Sequence, residues 1–190
     1  MKSMKFLSVF TGSLSYAVLR YLVFGTVSVA NLPCYVANKA ISLSAVVALC
    51  ASAYYLNRGR IDEQRDWFAF FKITTSVHVL LSVMLFSAEY YPKMFAGGKM
   101  NLHGELFILF GVLAVAMLMY RTIVRETTAD LKILQPLSIA AIALHQLFLG
   151  MSGWLKWQEW PGYMPPITMI GFIVAVIAIV FQIKSATRLK

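Results

Sequence analysis

MNLHGELFILFGVLAVAMLMY, Met100 to Tyr120, holds one acidic side chain, Glu105, and no Lys or Arg. A helix of that length rises about 30 Å, the thickness of the hydrocarbon core of a bilayer. Five further stretches of the same kind run from Phe6 to Phe24, Tyr35 to Leu56, Trp67 to Glu89, Ile133 to Met151 and Ile167 to Ile183. Hydrophobic residues make up 59% of the chain and charged residues 13%, and the mean hydropathy is +0.71. A soluble domain of this size could not hide so many apolar runs. The sequence therefore predicts an all-α integral membrane bundle of six transmembrane helices, a single domain over residues 1–190 with no room for a nucleotide or flavin domain.

The net charge of +9 would suggest nucleic acid in a soluble protein, but the basic residues fall between the spans and read as topology signals. One side carries Lys2 and Lys5, then Arg58, Arg60 and Arg65, then Arg121, Arg125 and Lys132, and finally Lys184, Arg188 and Lys190; the other has only Lys93, Lys99 and Lys156. The positive-inside rule then places the N- and C-termini in the cytoplasm of a multi-pass cell-membrane protein, most simply of a bacterial inner membrane. Interfacial aromatics agree, with Tyr54, Tyr55 and Trp67 marking the inner boundary and Tyr90, Tyr91, Trp154, Trp157 and Trp160 the outer one. Residues 1–17 also fit a secretory signal, but its removal would set the remaining five spans against the charge pattern. No internal repeat or linker stands out, and the longest connections are Arg58 to Asp66 and Arg121 to Lys132.

Cys34 and Cys50 lie on one span, roughly 24 Å apart at 1.5 Å per residue, too far to bridge. There is no CxxC, no CxxCH and no thiolate cluster. The three histidines are more informative. His78 lies eleven residues past Trp67, about 16 Å from the inner boundary, and His145 thirteen past Lys132, about 20 Å from it. Both spans run outward, so a flat cofactor between them could be clamped by both imidazoles. His103 lies within roughly 5 Å of the outer surface and is a poor partner for either. Taken singly, each membrane histidine reads as a hydrogen bond between helices. Two of three at one depth, in spans nearly empty of other ionisable groups, shift the reading towards a shared ligand. Zinc fits less well, because no third or fourth ligand lies at that level.

Arg20, Lys39 and Glu105 share the outer leaflet. A Lys39–Glu105 salt bridge, with Arg20 snorkelling or satisfying carbonyl groups, is one account. The other has Arg20 or Lys39 neutralising outward-pointing haem propionates. Lys72 reads as reaching the inner headgroups.

The segments ITTSVHVLLSVMLFSAEYYPKMF (Ile73 to Phe95), LHGELFILFGVLAV (Leu102 to Val115) and NKAISLSAVVAL (Asn38 to Leu49) resemble the ferric-reductase-like transmembrane family. The likeness covers spans two to five. It implies a six-helix b-type cytochrome with His78 and His145 as ligands of one noncovalent bis-histidine haem. Many relatives bear a second histidine a haem layer away on both helices; here those positions are Tyr91 and Lys132, so one haem is expected. His103 matches no ligand position of the family.

Two axial imidazoles would leave electron transfer as the chemistry. Thr74, Thr75 and Ser76 are candidates to hold the other nitrogen of His78. With no GxGxxG or P-loop in the chain, the donor would be a separate flavoprotein, which the resemblance favours, or a quinol entering from the membrane lipid; the acceptor would be extracytoplasmic. Two other classes compete: a cofactor-free transporter or channel using the polar residues as a pathway, and a scaffold subunit without chemistry.

Overall fold

The computed structural model describes residues 2–123 and 128–188, with side chains described for 3–120 and 134–185. Of the basic topology signals, Arg125 and Lys190 lie outside the described residues, as do the side chains of Lys2, Arg121, Lys132 and Arg188. Helices α1 (Lys2–Val18), α2 (Ala37–Asn57), α3 (Ile61–Leu85), α4 (Leu102–Ile123), α5 (Thr128–Trp154) and α6 (Ile167–Arg188) form an all-α bundle. Six segments are long and apolar enough to cross a membrane: Ser3–Val23, Val29–Asn57, Ile61–Leu85, Leu102–Tyr120, Leu134–Trp154 and Pro161–Ser185. The protein is thus a multi-pass membrane protein with extensive lipid contact. Helix needs no other explanation here: in hydrocarbon, a backbone that cannot bond to water must satisfy itself.

α2 is the hub. Of its membrane window 56% is buried, against 33% or less for the other five, and it packs against α1, α3 and α6. Its buried face is mostly Ala and Ser, small side chains that let neighbouring backbones approach closely. Buried Ser44 back-bonds to the Ala40 carbonyl (2.9 Å) and Ser52 donates to the Gln64 carbonyl of α3 (3.2 Å). α4 pairs with α5, and α6 joins the two halves by touching both α2 and α5. α3 and α4, although consecutive, meet only sparsely. The bundle is therefore loose along one seam, between the α2–α3 pair and the α4–α5 pair.

The start of α1, the end of α6, the 58–60 connection, the end of α4 and the start of α5 make up what we term the terminal end; the segments 24–36, 86–101 and 155–166 make up the loop end. α3 stops at Leu85, four residues before the end expected from hydropathy. The chain then turns back over the bundle, burying Tyr91 and Met94 against Leu85 and Phe107. Tyr91, 7% exposed, is accordingly a wall of the interior instead of an interfacial marker. A two-residue hairpin follows, pairing Phe95 with Met100 through Gly97 (φ 57°) and Gly98 (φ 77°), the double positive φ that a tight primed turn demands.

The hub role of α2 predicts that Ala48→Leu, at a site 0% exposed, destabilises the bundle by about 1–3 kcal/mol through overpacking. Leu80→Ala, on a face 67% exposed, should cost under about 0.5 kcal/mol. Thermal unfolding in one detergent checks both; equal shifts would contradict the packing.

Candidate functional site

Along the loose seam lies a cavity of about 500 Å³, open at one side, whose walls come from α2, α3, α4 and α5. That volume lies within the roughly 300–1,000 Å³ usual for cofactor and ligand clefts. Its walls are mostly apolar, and both His78 and His145 line it. His78 belongs to the α2–α3 half and His145 to the α4–α5 half, so the two imidazoles reach one chamber from different sides of the seam. The two histidines matched by depth thus line one cavity.

Each ring is held by its Nδ1. His145 Nδ1–H donates to the Phe107 carbonyl at 2.9 Å; a carbonyl only accepts, which fixes the proton on Nδ1. The Phe107 ring stacks on the same imidazole at a centroid distance of 4.3 Å. That carbonyl is already a helical acceptor, and the imidazole reaches it because Gly111 lies one turn on: a Cβ built there would sit 2.8 Å from His145 Nδ1. On the other side, His78 Nδ1 lies 2.7 Å from Asn38 Oδ1 and 3.4 Å from Ser82 Oγ. The same amide reaches Ser82 Oγ from Nδ2 at 3.0 Å; with the amide turned this way Nδ1 of His78 is the donor to Oδ1. Asn38 is 1% exposed, so its whole hydrogen-bonding capacity is spent inside the protein. No described residue bonds to either Nε2. Two ring nitrogens without a partner thus belong to residues that line an apolar chamber, a costly arrangement for a polar atom unless something takes them.

The residues expected to hold His78 do otherwise. Thr74 Oγ1 bonds back to the Phe70 and Phe71 carbonyls of its own helix at 2.8 and 3.1 Å. Ser76 is exposed. Thr75 lines the cavity, its buried Oγ1 without a partner. Asn38 takes the role instead, on a different helix. Its sequence signal was an uncharged amide, beside Lys39, at the start of a run that is otherwise mostly small and apolar. His103 is exposed on α4 and does not line the cavity. Among the described residues, no group of three or more His, Cys, Asp or Glu could hold a bare metal ion, and both cysteines are free.

A second cavity of about 330 Å³ lies at the loop end and shares Tyr91 with the first. Arg20 and Lys39 line it. The Lys39–Glu105 salt bridge does not form: Glu105 is exposed on α4, across the seam, and the Lys39 ammonium lies over the rings of Tyr35 (5.1 Å) and Tyr91 (5.0 Å). Nor does Arg20 snorkel. It sits in a π-helical turn, Leu19–Val23, is 6% exposed, and donates from Nη1 to the Met164 carbonyl. Tyr16 gives its hydroxyl to the neighbouring Pro165 carbonyl at 2.7 Å. The segment 164–166 contains two prolines and leaves carbonyls that no helix satisfies, and these two side chains supply the donors. Lys72 is exposed beside Phe68.

No protein-family model and no curated protein matches the chain. The functional reading consequently rests on the geometry.

Two substitutions probe the site without reference to any ligand. Asn38→Leu should cost about 1–3 kcal/mol by stranding the His78 Nδ1–H and Ser82. Gly111→Ala should displace the His145 ring and break its bond to Phe107. Each is expected to lower the thermal midpoint; a Gly111→Ala protein as stable as wild type would contradict the close seating of His145.

Proposed function

We propose that this protein is a membrane electron-transfer subunit that binds one haem b between His78 and His145, in the manner the resemblance to ferric-reductase-like cytochromes implies. The single observation that carries the proposal is the matched state of the two imidazoles. Both are held at Nδ1 by a group from another helix, His145 as the Nδ1–H tautomer against a carbonyl, and both line the same apolar cavity with no bond to Nε2 from a described residue. An imidazole orientated this way is what a metal ligand needs, since the bonded Nδ1 fixes the ring and raises the basicity of the other nitrogen.

The donor set and the chamber suit the group. Neutral nitrogen donors in a dry, apolar space match a noncovalent haem, and two of them would fill both axial positions of the iron. When bound, such a haem supplies one-electron chemistry with no open coordination site. The chain does the rest. Asn38 and the Phe107 carbonyl hold the ligands, the apolar walls exclude water, and Phe107 and Tyr91 close the loop-end side. Lys39, in contact with the shared wall Tyr91, is the cation best placed to meet a propionate that extends past it; Arg20 adds positive potential from the same outer cavity. Tyr91 stands where two-haem relatives bear a ligand, which supports a single haem.

The basic residues of the terminal end support cytoplasmic termini, which makes the loop end extracytoplasmic. Electrons would enter from a separate flavoprotein docked on the terminal end, or from a quinol reaching the seam between α3 and α4 through the lipid, and leave towards an extracytoplasmic acceptor.

Reduced-minus-oxidised visible spectra of detergent-purified protein test the reading. Wild type should show a low-spin b-type spectrum that His78→Ala and His145→Ala each abolish. Asn38→Leu should retain the ligands but bind haem roughly 10–100-fold more weakly. A colourless wild type after expression with ample haem would overturn the proposal.

A further inference from the structure

The outer cavity is more than an extension of the first. Its walls carry four basic side chains, Arg20, Lys39, Lys93 and Lys156, against one carboxylate, Glu159. That carboxylate is already committed, because Lys156 Nζ pairs with it at 3.2 Å. No described carboxylate reaches Arg20, Lys39 or Lys93. Lys93 is exposed on the chain that turns back after α3, and its ammonium reaches over Gly153 of α5, 3.6 Å from where a Cβ would lie.

Arg20 makes the stronger point. It is buried, one arm of its guanidinium is used by the Met164 carbonyl, and its Nε–H is buried without any acceptor. A guanidinium presents five donors in a fixed fork, and its fit is to two oxygens of one planar or tetrahedral anion. Leaving a charged donor unsatisfied at this depth is costly, and the Arg20 side chain lines the outer cavity, so an anion there would sit beside the guanidinium. Tyrosines complete the walls: Tyr21 lies under Arg20 (5.7 Å) and edge-on to Tyr35 (5.9 Å), and Tyr35 stacks with Tyr90 (5.7 Å). The chamber is thus cationic with an aromatic lining, near the depth at which headgroups meet hydrocarbon.

We propose that this outer cavity is a binding site for an oxyanion, a carboxylate or phosphate group, gripped by the Arg20 fork and by Lys93, with Lys39 beneath. The group can belong to a soluble anion or to the headgroup of an anionic lipid; both present the same oxygens to the same donors. The site shares Lys39 and Arg20 with the haem reading but includes neither iron ligand, and Lys93 belongs to it alone.

Intrinsic fluorescence offers a direct readout, because Trp160 lines the cavity. Delipidated wild-type protein in a neutral detergent would be titrated at constant ionic strength with citrate, with inorganic phosphate, and with short-chain phosphatidylglycerol against phosphatidylcholine. The proposal expects a saturable response to one of the anions, none to phosphatidylcholine or matched sodium chloride, and a roughly ten-fold or greater loss of affinity in Lys93→Gln and Arg20→Gln, as for a lost charged hydrogen bond. Response to phosphatidylglycerol alone assigns a lipid headgroup; response to citrate or phosphate assigns a soluble ligand. Should Arg20→Gln fail to fold, Lys93→Gln, whose ammonium has no ion pair among the described residues, still decides. Responses that sodium chloride reproduces, or that Lys93→Gln leaves unchanged, would overturn the site. The same titration on His78→Ala/His145→Ala separates it from the haem reading. Anion binding in both proteins upholds it whatever the spectrum shows, whereas binding only in the double variant would make the propionates themselves the occupant and overturn a separate ligand.

Discussion

Inside a bilayer a polar group has no water to fall back on, and the structure is organised by that constraint. It makes every span a helix and sends Ser44 and Thr74 back to carbonyls of their own turns. It draws Tyr16 and Arg20 to the carbonyls of a proline-rich loop. At the centre it commits the Nδ1–H of each buried histidine to an acceptor on another helix. The rule is left open at Arg20 Nε and at Thr75 Oγ1, and at the Nε2 atoms of the two histidines that line the same cavity as Thr75.

The cavity itself follows from side-chain size. Ala and Ser along α2 let α1, α3 and α6 close in around it, while α4 pairs separately with α5. Bulk accumulates at the loop end, where Phe86, Tyr91, Phe95 and Phe107 pack together, and at the terminal end, where Phe6 meets Trp67 and Phe70. Between these two aromatic plugs the seam from α3 to α4 stays open. Its walls are helices, which fix the positions of the side chains that line it.

Hydropathy made the six spans legible, because a length of about twenty apolar residues is a strong one-dimensional signal. Depth along a helix is likewise one-dimensional, which is why His78 and His145 could be matched from the sequence. What escaped was everything that depends on rotation and on neighbours. Asn38 holds His78 from another helix, whereas the nearby Thr74 that local spacing suggested turns to its own backbone. Gly111 has meaning only beside the His145 ring. Tyr91 looked interfacial because aromatic residues crowd the span ends, yet the early stop of α3 at Leu85 folds it inwards. Lys39 and Glu105 share a depth but stand on opposite sides of the seam, and equal depth alone could not reveal that.

The central claim is that two neutral imidazoles share one iron. Low-temperature electron paramagnetic resonance of the oxidised, purified protein addresses the ligands directly. The account predicts a low-spin ferric signal of a bis-imidazole haem, with no high-spin component. A high-spin axial signal, indicating an iron with an open or water-filled position, or the absence of any ferric haem signal from protein prepared with ample haem, would contradict it.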